Sequence, residues 1–152
     1  MPLRNWQRRA LDGALARFHS DIPTPKKFMA SAFPGAGKTF FALSFVNEVM
    51  KQQPDHFLFI LAPTIEIKRS WGTKAETKFS INTRWDKNVQ IDTKAGRVHL
   101  SPNYKGMVMT YQGLATMCSS EEKKTILSSF LATKKVLLVL DECHHLSESN
   151  SW

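Results

Sequence analysis

The chain has 152 residues, 42% of them hydrophobic and 22% charged, which is the usage of one globular domain with a real core rather than of a disordered chain. Its 21 Lys and Arg against 13 Asp and Glu leave a formal charge of +8, which favours polyanionic partners, and its longest apolar runs, residues 57–62 and 136–140, are far too short to cross a bilayer. Residues 1–20 carry arginines and no apolar stretch of signal-peptide type, and Cys118 and Cys143 are the only cysteines, so a cytoplasmic, reducing setting is expected, with no cysteine framework for a metal.

Helical and strand signals alternate along the chain. Asn5 is placed to cap a helix in which Trp6, Ala10, Leu11, Ala14, Leu15 and Phe18 recur at helical spacing. Residues 20–27, with two prolines, read as a loop, 28–32 as a first strand and 39–52 as a helix. After the break at Pro54-Asp55, residues 57–62 read as a second strand and 65–79 as a helix, although Gly72 weakens it. The stretch 80–105 is polar and basic and takes no assignment. Residues 107–110 then read as a short strand, 112–117 and 121–132 as helices, and 136–140 as a buried strand. Strands that are apolar on both faces and separated by helices imply an α/β fold with a parallel sheet covered on two sides.

The most informative segment is Ala32-Phe33-Pro34-Gly35-Ala36-Gly37-Lys38-Thr39, which lies between the first expected strand and the helix after it. Gly35 and Gly37 let the backbone turn so that N–H groups point inward, and the loop runs into a helix N-terminus whose partial positive charge favours anions. In that setting Pro34 to Phe40 cradle phosphates, Lys38 meets the β and γ phosphates of ATP, and the Thr39 hydroxyl meets magnesium. The general pattern has glycine where this chain has Ala32. The bland alternative is a glycine-rich turn that only joins a strand to a helix.

A second motif, Asp141-Glu142-Cys143-His144, follows the apolar run 136–140 and puts two carboxylates at the carboxyl edge of the sheet, where open α/β folds bind ligands. Alone, the pair would read as two solvated acids ending a strand. Beside a phosphate loop, Asp141 is expected to hold hydrated magnesium and Glu142 to orient and deprotonate the attacking water. The catalytic expectation is therefore Lys38, Asp141 and Glu142, with Thr39 and Asp141 on the metal.

Asp-Glu-Cys-His resembles the second motif of superfamily 2 helicases and translocases of the DEAD/DEAH type, and Ala-x-x-Gly-x-Gly-Lys-Thr resembles their first, which accounts for Ala32. Leu3-Arg4-x-Trp6-Gln7 is similar to the adenine-reading motif, which puts base recognition on Gln7. Leu61-Ala62-Pro63-Thr64 is similar to a motif that contacts the nucleic-acid backbone, as is Val108-Met109-Thr110-Tyr111-Gln112. Ser151-Trp152 matches a pair found in the type III restriction enzyme branch. The resemblance covers nearly the whole chain and is weakest over 73–105. It implies a three-layer RecA-like domain with a mostly parallel central sheet, nucleic-acid contacts at Pro63, Thr64, Thr110 and Tyr111, and a coupling role for His144. It also implies DNA in preference to RNA and a second RecA-like domain in cis.

Duller readings exist for the lesser motifs. Trp6 and Gln7 sit on an amphipathic helix, where Trp is usually core and Gln usually surface. Thr64 suits a helix N-cap, a geometry compatible with binding phosphate. Lys68, Arg69 and Trp71 follow on that helix and read as an exposed face rather than as sites. Cys143, His144 and His145 are adjacent and cannot all converge on one ion.

The expected activity is ATP-driven movement on nucleic acid, with two RecA-like domains closing on ATP and parting after hydrolysis. Residues 1–152 are read as the first of those domains alone, so this piece is expected to bind ATP weakly and hydrolyse it poorly, because the second domain brings an arginine finger worth about 10³ to 10⁵ in turnover. The alternatives are a P-loop ATPase that remodels protein, and a non-catalytic module in which nucleotide only stabilises a fold.

Overall fold

The apolar spacing of Trp6, Ala10, Leu11 and Ala14 does build a helix, α1 (Asn5–Phe18), in the computed structural model, which describes residues 2–21 and 26–143. Arg4 is the N-cap rather than Asn5. Its main-chain N–H donates to Gln7 Oε1 at 2.8 Å, so a carboxamide three positions into the helix reaches back to seal the end. Leu11 and Ala14 pack with Phe41 of α2 (Lys38–Gln52), and Trp6 and Phe28 lie 5.9 and 5.8 Å from the Phe41 ring between centroids. Together with the loop between them, these helices form the first of two compact units, Met1–Pro54; the second is Asp55–Trp152.

One expectation fails in the first unit. Residues 28–32, read as a strand, carry no ladder, and Phe28 is 48% and Met29 81% exposed. A strand is completed by a neighbour that exchanges N–H and C=O groups with it, and among its described residues Met1–Pro54 contains helices only. Apolar composition cannot supply that neighbour.

The second unit is built around β1 (His56–Ala62), all seven residues of which are buried. Three more strands, β2 (Thr83–Arg84), β5 (Gly106–Thr110) and β6 (Lys135–Leu140), join it in the order β2-β5-β1-β6, every pair parallel. The pleat sends Phe57, Phe59 and Leu61 to one face with Met107 and Met109. That face is covered by Met117 of α4 (Tyr111–Met117) and Leu127 of α5 (Glu121–Ala132). Burying each such side chain contributes about 1.5 to 3 kcal/mol. The helix α3 (Ile65–Phe79) packs against β1 and β5.

The stretch without an assignment, 80–105, supplies β2 and an antiparallel hairpin of β3 (Gln90–Asp92) and β4 (Arg97–His99). Val89 and Val98 anchor the hairpin in the same core as Phe57 and Leu127. Its turn is closed by Asp92, whose carboxylate accepts from the Ala95 N–H at 2.9 Å, and by Gly96 at φ +62°. Gly72, which weakened α3 on sequence, sits under Trp85: a Cβ there would come within 2.1 Å of that indole.

Candidate functional site

The phosphate loop is shaped by its glycines. Gly35 lies at φ +75° and Gly37 at φ +93°, in the left-handed region where a side chain is strained. Between them the chain turns, with the Ala36 N–H donating to the Phe33 carbonyl at 3.1 Å. Gly37 is the N-cap of the 15-residue α2, so the loop delivers a helix N-terminus to whatever it holds. The Lys38 Nζ donates to the Ala32 carbonyl at 2.9 Å, folding the ammonium back over the loop. Thr39 and Phe40 continue the first turn.

Helix α1 braces this loop. Gln7 Nε2 donates to the Gly37 carbonyl at 3.0 Å and Arg4 Nη1 to the Ala36 carbonyl at 3.3 Å. Gln7 is only 3% exposed, so it is not the surface residue that its place on an amphipathic helix suggested. Its Oε1 is taken by the Arg4 N–H and one N–H of its amide by the loop, which leaves the second N–H of the carboxamide.

In the second unit the register does the assembling. Ala62 pairs with Thr110, and Leu61 with Leu140, so β5, β1 and β6 end side by side. Pro63-Thr64, Thr110-Tyr111 and Asp141-Glu142 therefore emerge at one carboxyl edge, the edge at which parallel α/β sheets bind ligands. Both threonines cap helices: Thr64 Oγ1 accepts from the Ile67 N–H at 3.3 Å, and Thr110 Oγ1 from the Gly113 N–H at 2.9 Å.

Asp141 is held at three points. Its N–H donates to the Leu61 carbonyl at 2.9 Å, its own carbonyl accepts from the Tyr111 hydroxyl at 2.9 Å, and its Oδ2 accepts from the Trp71 indole N–H at 2.7 Å. Glu142 follows at φ +52°, a left-handed conformation that turns the chain sharply as it leaves the sheet. Burial, and then the negative charge of Cys143, Asp141 and Glu142, push the Tyr111 phenol up to about 12, so it stays a donor.

Two residues read as an exposed face prove otherwise. Trp71 is 3% and Lys68 7% exposed. Burial pushes the Lys68 ammonium below the usual lysine range, and the charge of Asp86 opposes this only in part. Lys68 donates weakly to Asn88 Oδ1 at 3.4 Å and lines an open cavity of about 710 Å³ with Arg69, Lys123, Gln112 and Thr110. Helical spacing marks a stripe but not which neighbour covers it, and Asn88 comes from the stretch that had no assignment. His144, His145 and Ser151-Trp152 lie outside the described residues.

The loop fits a triphosphate. Its two left-handed glycines keep side chains out of the bend, it opens on a helix N-terminus, and Lys38 and the Thr39 hydroxyl belong to that first turn. Asp141 fits hydrated magnesium, with one carboxylate oxygen engaged by Trp71 and the other, Oδ1, not used in that bond.

A phosphate loop running into a helix, an acidic pair ending a strand of a parallel sheet and the segments aligned beside that pair define a helicase-like ATP-binding domain. The chain belongs to the family of the type III restriction enzyme res subunit, which matches residues 1–152. It is 30% identical over 153 residues to uncharacterised proteins of Mycobacterium leprae and Mycobacterium tuberculosis, covering 99% of this chain and 22% of each relative. Its fold is similar to that of a nuclease-deletion mutant of the Type ISP restriction-modification enzyme LlaGI in complex with a DNA substrate mimic. That likeness has a TM-score of 0.57 at 16% identity and covers 93% of this chain and 17% of the other. The chain thus spans about a fifth of the length of these proteins.

Proposed function

We propose that this chain is the ATP-binding half of an ATP-driven translocase or helicase acting on nucleic acid, DNA in preference to RNA. The observation that carries the reading is the shared ending of β5, β1 and β6, which brings Thr64, Thr110 and the Asp141-Glu142 pair to one sheet edge. Two helix-capping threonines offer backbone N–H groups and hydroxyls to phosphates, and the acidic pair that ends the neighbouring outer strand β6 offers the acid chemistry of hydrolysis. The cavity beside Thr110, with Lys68, Arg69 and Lys123, adds positive charge along the same edge. The similar restriction enzyme was solved with a DNA mimic, which supports DNA over RNA.

In this reading Gly35, Ala36, Gly37 and Lys38 hold the triphosphate of ATP, with Pro34 and Phe40 flanking them. Thr39 and Asp141 serve magnesium, which supplies charge neutralisation on the phosphates when bound. Glu142 takes the proton of the attacking water. Gln7 reads adenine with its second amide N–H while keeping its bond to the loop. Pro63 and Thr64, with Thr110 and the Tyr111 ring, contact the nucleic-acid backbone. A second RecA-like domain in cis completes the motor, residues 1–152 alone hydrolyse ATP poorly, and the protein works in the cytoplasm.

Substituting Glu142→Gln in the full-length protein tests this. We expect turnover to fall by about 10² to 10⁴ with ATP still bound, and DNA affinity to drop steeply with salt. Unchanged turnover would remove Glu142 as base, and DNA binding indifferent to salt would point to a protein-remodelling ATPase.

A further inference from the structure

The three bonds to Asp141 come from three different elements, and each of those elements borders a threonine at the sheet edge. Leu61 lies on β1, which runs directly into Pro63-Thr64, Trp71 lies on α3, whose N-cap is Thr64, and Tyr111 is the first residue of α4, whose N-cap is Thr110. Trp71 stands seven residues from Thr64, about 10 Å along one continuous helix. The ring is 3% exposed; a phenylalanine would keep one aromatic ring there and lose the rest of the indole volume, but the N–H is what only tryptophan supplies, and it goes to a carboxylate oxygen at 2.7 Å. Such a length is that of a charge-assisted bond.

We infer that Trp71 is a positioning residue for Asp141, and that with Tyr111 it links the nucleic-acid edge mechanically to the acid that serves magnesium. Occupying Oδ2 fixes the carboxylate rotamer and presents Oδ1. A displacement of the 15-residue α3 by a phosphate at the Thr64 end moves a donor that is bonded directly to Asp141, with no intervening side chain. The metal-serving group and the nucleic-acid contacts then share one hydrogen-bonded unit. This inference rests on the proposed function.

The test uses the full-length protein with Trp71→Phe, which removes the donor and keeps a ring. Loss of a group that orients a metal-serving side chain typically costs 10- to 100-fold in metal affinity or activity. We expect the magnesium concentration for half-maximal ATP turnover to rise about tenfold or more, and the ratio of DNA-stimulated to unstimulated turnover to fall, while ATP affinity measured in EDTA stays near wild type and the thermal midpoint falls by a few degrees for the lost ring volume. Tyr111→Phe, which removes only a hydroxyl, should move the magnesium dependence in the same direction, and it carries the test if Trp71→Phe does not fold. Wild-type magnesium dependence and wild-type stimulation in the variants that fold would overturn the inference. If Glu142→Gln retained full turnover in the same assays, the failure would lie with the proposed function instead.

Discussion

Gln7 Nε2 occupies the position that a side chain on Gly37 would need: a Cβ built there falls 2.5 Å from it, while the same nitrogen donates to the Gly37 carbonyl at 3.0 Å. Gly37→Ala therefore meets two penalties. The residue sits at φ +93°, which costs a side chain about 1 to 3 kcal/mol, and the methyl displaces the amide that braces the loop. ATP affinity should fall at least about tenfold in a nucleotide-binding titration. Adding Gln7→Ala should not restore affinity, because the backbone penalty remains and the amide that braces the loop, and is proposed to read adenine, is lost with the crowding. Full recovery in the double variant would show that φ carries no cost here.

Gly72→Ala sets helix propensity against packing. Alanine in the middle of a helix gains up to about 1 kcal/mol over glycine. Here the new methyl would lie 2.1 Å from Trp85 Cγ and 2.5 Å from its Cβ, and a contact that close to the main chain cannot be relieved by rotating the ring away. Overpacking of this kind costs about 1 to 3 kcal/mol, so the thermal midpoint should fall by several degrees. A higher midpoint would mean that residue 85 yields freely.

Tyr111 offers a pH test with a definite sign. Its phenol titrates at about 12 in the folded chain, against about 10 for an exposed tyrosine. Between those values the unfolded chain has lost a proton that the folded chain keeps, so stability falls as pH rises from about 10 to about 12. Absorbance near 295 nm should resolve a late-titrating tyrosine that vanishes in Tyr111→Phe. A single ordinary midpoint for both tyrosines would contradict the burial of this hydroxyl.

Lys68 predicts a split between stability and binding. Burial disfavours its charge in the folded state, so at neutral pH Lys68→Met should leave the thermal midpoint unchanged or raise it. If the cavity beside Thr110 receives phosphate, the same change should weaken DNA binding uniformly across sequences and lower the salt slope by about one. A large loss of stability would make Lys68 a structural residue.

The elements that depend on local period alone were legible: α3 and α5 fall at residues 65–79 and 121–132 as expected, because helical hydrogen bonds close within the segment itself. So were the turn of the phosphate loop and the strand before the acidic pair: Gly35 and Gly37 take left-handed backbone, a helix starts directly after them, and residues 135–140 form β6. Anything requiring a partner distant in sequence was not. Residues 28–32 have the composition of a strand and lack a neighbour to make them one. The hairpin of residues 90–99 hides in a polar stretch because its core contacts are few and scattered, Val89 and Val98 buried and Ile91 and Leu100 half-buried among polar neighbours. Trp71 sits 70 positions before Asp141 in sequence, yet its N–H meets that carboxylate, and Lys68, 20 positions before Asn88, is turned inward to share a cavity wall with it. Residue identity and spacing determined the helices and the turn of the phosphate loop; the parallel register of β5, β1 and β6 decided which residues meet, because contact across strands is set by packing that no linear spacing encodes.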